Sequence, residues 1–347
     1  MQRLPESTYA SKGGGNHARN SGTGFRSGWS RAFLIRDFGI AIVALLIGLG
    51  FSLASPVFLS TYNLLNLLRQ TAELGIIAMA MTMLIISGEF DLSVGAIYAV
   101  TGVVAGLLAK HFGLEIWAAA ICGLASALIL GLLNGLLVTT TKINSFIATL
   151  STMMVYRGIA MVLSQGQPIS SFHSETAFFD IMGRGKGFGT IPVPIFWMAT
   201  WGILLFLLLH RTAFGVKVYA TGDNPEAATL AGIKIAQVKR VGFLITSFAA
   251  GLAGLVSLGY LKTVTPTQGT GLELEAIAAA VIGGTSMAGG VGSIVGTFIG
   301  TFIMAEVRTG LVLLGTDAYI QDAFVGLVIA LAVIVNIKLT DRRDAKG

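Results

Sequence analysis

An all-α, polytopic membrane fold of about ten spanning helices, interrupted by glycine-rich breaks, is predicted by three observations. Hydrophobic residues fill 54 % of the 347 positions and charged residues only 12 %, half the charged share usual in a soluble chain. Two uncharged runs, 38–68 and 276–305, exceed the roughly 20 residues that a spanning helix needs. The basic residues, finally, gather into three segments, the pattern of cytoplasmic loops in membrane proteins. Together these exclude a water-soluble enzyme and leave no sequence for a sizeable extramembrane domain.

Taken in order, residues 1–37 are polar and basic, with Arg3, Lys12, Arg19, Arg26, Arg31 and Arg36 against Glu6 and Asp37. They read as a disordered cytoplasmic tail, because they lack the apolar core and small-residue cleavage site of a signal peptide. A membrane body, 38–337, follows. Pro56 and the polar stretch 60–63 separate a first span from a second, which runs past Arg69 and Glu73, an i,i+4 pair, to about Ser87. Further spans are predicted over 93–109, 115–139, 143–164, 193–209, 241–261, 273–284, 291–309 and 320–337.

Continuous helix over 276–305 would be about 45 Å long, more than the hydrocarbon core, so it is broken at the glycine-rich 283–290. With the N-terminus inside, the tail, the loop 210–240 and the C-terminal tail 338–347 face the cytoplasm. They hold fifteen of the 23 Lys and Arg. The nearly charge-balanced 165–192 falls outside as the largest external platform.

Composition also limits the chemistry. The single cysteine, Cys122, can form neither an internal disulfide nor a thiolate cluster. His17, His111, His173 and His210 show no metal-ligand spacing, and neither His-Glu-x-x-His nor a nucleophile elbow occurs. No catalytic residue, metal or cofactor is therefore expected. The formal charge of +6 does not imply nucleic acid in such a chain, since its distribution serves orientation in the bilayer. Energy would come from another polypeptide or an ion gradient, because the sequence has no Gly-x-x-x-x-Gly-Lys-Ser/Thr phosphate loop.

Three motifs stand out. In the loop 210–240, Asn224 suits an N-cap, Pro225 the first helical position, Glu226 the positive end of the dipole and Gly232 a left-handed stop, which encodes one short helix. Its exposed face would be small at Ala227 and Ala228 and apolar at Leu230. It suits either a groove on a soluble partner or a resting place on the lipid headgroups. The turn 87–95, Ser-Gly-Glu-Phe-Asp-Leu-Ser-Val-Gly, puts Glu89 and Asp91 at a span junction. Asp91 is either a helix cap or, with Glu89 and Ser93, part of a polar path. The third motif is 283–293, Gly-Gly-Thr-Ser-Met-Ala-Gly-Gly-Val-Gly-Ser, whose Gly283, Gly284, Thr285 and Ser286 are hinge candidates. Beyond it, Gly292, Gly296 and Gly300 form a small-residue packing face.

With these three motifs the sequence resembles the sugar-type permease family of bacterial ATP-binding-cassette (ABC) importers, over about 60–337. The family turn reads Gly-Gly-Ile-Asp-Leu-Ser, so Glu89 and Phe90 depart from it while Asp91, Leu92 and Ser93 are kept. The resemblance implies a multi-pass inner-membrane subunit, paired with a second permease copy, two cytoplasmic ATPases and an extracytoplasmic sugar-binding protein; the basic segments put both termini in the cytoplasm. It assigns ATPase coupling to Asn224, Glu226, Ala227, Ala228 and Gly232, and the import of a pentose, hexose or related polyol by alternating access. An ion-coupled secondary sugar transporter is the alternative, and it would use intramembrane carboxylates.

Asn66, Gln70, Asn134, Asn144 and Ser145 offer amides and a hydroxyl either to a sugar path or to interhelical bonds. Glu306 with Arg308 is placed at a span end, within reach of the interface. Arg157 lies deeper, with no partner close in sequence.

Overall fold

The computed structural model describes residues 24–170, 172, 177–317, 320, 323–328, 330, 331 and 334, with side chains from Asp37 onward. The helices are α1 Gly24–Ala54, α2 Thr61–Ile86, α3 Val94–Lys110, α4 Ile116–Thr141, α5 Ser145–Ser164, α6 Ala177–Phe179, α7 Val193–Arg211, α8 Ala213–Asp223, α9 Pro225–Leu230, α10 Ile235–Leu261, α11 Leu272–Ile282 and α12 Ile294–Leu313, and residues 323–328 are helical as well. A π-helical turn, Asp180–Arg184, continues α6. Two minimal antiparallel ribbons complete the chain: β1 Ile169–Ser170 with β4 Thr263–Val264, and β2 Lys186–Gly187 with β3 Ile191–Pro192.

Helix starts follow local chemistry. Ser60 Oγ accepts from the Asn63 nitrogen, Asn144 Oδ1 from that of Phe146 and Ser293 Oγ from that of Gly296, so backbone donors that a helix cannot satisfy within its first turn are bonded locally. Seven of these helices are long and apolar enough to cross a bilayer: α1 from Asp37, α2, α4, α5, α7, α10 and α12. The helices α2 and α10 form the centre, with 83 % and 78 % of their apolar windows buried, whereas α1 is peripheral at 6 %.

Contacts at the helix ends fix the direction of each helix. The end of α2 at Ile86 meets Gly290, beside the start of α12, while Gly310, near the end of α12, packs on Phe51 near the end of α1. Gly106 of α3 packs on Ile169, and Gly259 of α10 on Met182 and Gly183. Successive helices thus alternate. The segment 165–192 and the ribbon strand β4 lie at one end of the bundle, and α8, α9 and Asp37 at the other, hereafter the α9 end.

Several expectations are revised. The sequence reading put residues 1–37 in a disordered tail, but α1 begins at Gly24. The span predicted over 273–284 is α11, whose 11 residues rise only about 16 Å, about half of the hydrocarbon core. It turns back through the glycine-rich linker 283–293, where Gly284, Gly289 and Gly290 have positive φ. Its partner α12 approaches so closely that a Cβ on Gly300 would collide with the Ala279 carbonyl, and one on Gly283 would lie 2.5 Å from the Gly296 backbone. Gly300→Val is accordingly expected to cost about 1–3 kcal/mol through overpacking, seen as a lower melting temperature in detergent.

Glu306 does not reach an interface. It is 5 % exposed beneath α1, where a Cβ on Gly48 would lie 2.7 Å from its Oε1, and Arg308 pairs instead with Glu275 at 2.7 Å. Arg157 donates to the carbonyls of Pro266 and Gln268, both at 2.8 Å. Residues 1–23, much of the span 320–337, the tail 338–347 and, in the platform, Ser171, His173, Ser174, Glu175 and Thr176 lie outside the described residues.

Candidate functional site

At the α9 end the three motifs meet. The loop 210–240 holds two helices rather than the single one predicted. Thr212, whose Oγ1 accepts from the Gly215 nitrogen at 3.4 Å, opens α8 before α9 follows. The helix α9 is built as its residues dictate: Asn224 Oδ1 accepts from the Ala227 nitrogen at 2.9 Å, Pro225 takes the first position, Glu226 lies in the first turn, and Gly232 has φ +80°. Glu226, Ala227 and Leu230 are exposed, Leu230 at 91 %, but Ala228 is buried. The outward face is therefore Ala227 and Leu230, while Ala228 holds the helix to the body.

Behind α9, the end of α8 is wedged between two of the other segments. The Gly290 nitrogen donates to the Ile86 carbonyl at 2.9 Å. Gly222 lies against both: a Cβ there would collide with the Ile86 oxygen and stand 2.7 Å from the Gly290 nitrogen. Tyr219 Oη donates to the Gly292 carbonyl at 2.8 Å. A rigid backbone junction thus joins α8, the end of α2 and the linker between α11 and α12. Within that linker the Ser286 nitrogen donates to the Val291 carbonyl and Ser286 Oγ accepts from the Ala288 nitrogen; Gly283 packs on α12, and Thr285 is buried.

The turn 87–95 divides in two. Asp91 is fully buried, and its Oδ1 accepts from the nitrogen of Ser93 at 2.9 Å, from Ser93 Oγ at 2.6 Å and from Asn134 Nδ2 at 3.4 Å. Asn134 also donates to Ser93 Oγ at 2.7 Å and accepts from Tyr156 Oη at 2.9 Å. The nitrogens of Phe90 and Leu92 donate to Ser145 Oγ and Thr149 Oγ1. Asp91 is therefore not a simple cap of α3, whose N-cap is Ser93; it folds the turn over Ser93 and ties it to α4 and α5. Asn134 and Ser145 serve this tie.

Glu89 faces elsewhere. It pairs with Lys239 of α10 and lines a cavity of about 580 Å³ between the turn, the α4–α5 connection and the start of α10. Thr149 and Tyr156 were not singled out from sequence, and Lys239 was read only as one of the basic residues of the loop 210–240. The polar Asn134 within apolar α4 was the available signal for the Asp91 tie.

Asp91→Asn keeps the Oδ1 acceptor and is expected to assemble normally. Asp91→Leu strands the Ser93 nitrogen and hydroxyl donors, at about 1–3 kcal/mol for each buried group, and is expected to lower the yield and melting temperature of the purified protein.

The described residues thus form a bundle of apolar helices with one helix, α11, ended by a glycine-rich linker, and an exposed capped helix, α9, at one end. Residues 63–333 match the family described as branched-chain amino acid transport system, permease component, and the chain belongs to it. It is 42 % identical over 288 residues to the ribose import permease protein of Bacillus subtilis (strain 168), covering 83 % of this chain and 88 % of that one. It is 38 % identical over 313 residues to the ribose import permease protein of Escherichia coli (strain K12), covering 89 % and 96 %. To the L-arabinose ABC transporter permease protein of Azospirillum brasilense it is 36 % identical over 319 residues, covering 90 % and 91 %. No solved structure matches.

Proposed function

We propose that this chain is the permease subunit of an ATP-driven importer that moves a sugar, a pentose, hexose or related polyol, across the inner membrane by alternating access. Relatives named for ribose and arabinose support the substrate class. The observation that carries the mechanism is the junction of Gly222 with Ile86 and Gly290 behind an exposed α9. An ATPase groove that receives Ala227 and Leu230 can push on α8. Because α8 abuts both α2 and the linker 283–293, that push favours one arrangement of the half-length α11 over another, which is a population shift driven by differential affinity.

The α9 end faces the cytoplasm in this reading, since Arg211, Lys217, Lys234, Lys239 and Arg240 belong to it. The opposite end, with the 165–192 segment, receives the sugar-binding protein, and a second permease copy completes the path. Asn224, Glu226 and Gly232 set the shape of α9. Glu89 gates the path together with the hinge formed by Gly283, Gly284, Thr285 and Ser286, while Asp91 and Ser93 hold the turn that carries it. A neutral sugar needs hydroxyl, amide and carboxylate partners there rather than a ring of like charges.

Reconstitution in proteoliposomes tests this. ATP-dependent uptake of labelled ribose, arabinose or xylose is expected only when the ATPase and binding protein are present. Uptake by the chain alone under a proton or sodium gradient would replace the proposal with ion-coupled transport.

A further inference from the structure

We propose that the cavity behind Glu89 is a binding site for the phosphodiester headgroup of an anionic phospholipid. The cavity, about 580 Å³, lies at the α9 end and is lined by Lys142, Lys239, Asn144, Ser145 and Thr139 as well as Glu89. Its charge is lopsided. Lys239 is paired with Glu89, whereas the exposed Lys142 faces the same space. A third cation, Arg240, reaches the wall by donating from Nε to Thr139 Oγ1 at 2.7 Å. Two lysines thus line the space against one carboxylate, with Arg240 held just behind its wall and amide and hydroxyl groups between them, a donor set that suits a phosphate.

The rest of the lining says that the phosphate belongs to a lipid. Ile143 and Phe146, which also border the cavity, are 44 % and 49 % exposed. They continue into the exposed apolar face of α5 through Ile147, Leu150 and Met154. A headgroup seated among the lysines would lay its acyl chains along that face, whereas a free anion would leave it bare.

The site also bears on the machinery. A phosphate at Lys239 competes with Glu89 in the turn whose preceding residue, Ile86, carries the junction to Gly290. Lys142 ends α4 in the left-handed region at φ 60°, a position that glycine fills more readily. Lys142→Gly therefore removes the charge without a conformational penalty, and Lys142→Arg keeps it.

Native mass spectrometry of the purified, full-length chain tests the site, with phosphatidylglycerol, phosphatidylcholine or inorganic phosphate added at equal concentration. The natural sequence is expected to retain phosphatidylglycerol in preference to phosphatidylcholine and to keep it against inorganic phosphate. Lys142→Gly is expected to lower retention about fivefold, the weight of one lysine near a charged headgroup, and Lys142→Arg to restore it. Equal retention of the two lipids, displacement by inorganic phosphate, or unchanged retention in Lys142→Gly with normal folding would each overturn the proposal.

Discussion

Leu230→Asp is expected to abolish uptake and the recovery of the ATPase with the permease, while leaving the amount of permease in the membrane unchanged. Leu230 is 91 % exposed at the last turn of α9, so nothing in the fold depends on it, and its only apolar neighbour can be a partner. Burying a leucine is worth about 1.5–3 kcal/mol. Putting a carboxylate into the same apolar groove adds a desolvation cost, so association should weaken by roughly a hundredfold or more. Leu230→Met preserves volume and apolarity and should retain uptake. Co-purification through a tag on the permease, with both variants side by side, provides the reading. An aspartate variant that still brings down the ATPase would remove α9 from the interface.

Gly222→Val separates docking from transmission. The variant keeps α9 intact, but its Cβ would meet the Ile86 oxygen and the Gly290 nitrogen, both backbone atoms in a mutual hydrogen bond. Backbone cannot swing aside as a side chain does, so the junction opens or α8 is displaced. The ATPase is expected to remain bound and to hydrolyse ATP, while uptake falls at least about tenfold, a shift of about 1.4 kcal/mol between the two conformations. Measuring hydrolysis and uptake in the same proteoliposomes distinguishes this from unfolding, which would remove both. Normal uptake in the valine variant would show that force does not pass through Gly222.

How much of this was legible in the sequence depends on the range of the interaction. The helix α9 was readable to the residue, because Asn224, Pro225 and Gly232 act through contacts within one turn. So was the break after α11, since a double glycine needs no tertiary context to end a helix. Its boundaries were close to those observed, and the predicted length, 273–284, was already too short to cross a bilayer alone. The helix α8 was not predicted, although it contains Gly215 and Gly222. In the fold they are places of close approach, to Leu209 and to Ile86 and Gly290.

Long-range pairs were out of reach. Glu89 with Lys239 and Arg308 with Glu275 join residues far apart in sequence, and the burial of Glu306 depends on how α1 lies over α12. The tie through Asn134, Ser93 and Tyr156 shows the same limit. Its polar members were visible as candidates, but the choice between lining a path and bonding one another is made by packing.

The central claim, that α9 is the docking element for a separate motor, is tested most directly by photocrosslinking from its tip. A benzophenone side chain placed at position 230 should form an adduct with the ATPase subunit in intact membranes, at a yield that changes when ATP is added. An adduct with lipid, or with the extracytoplasmic binding protein, would contradict the account.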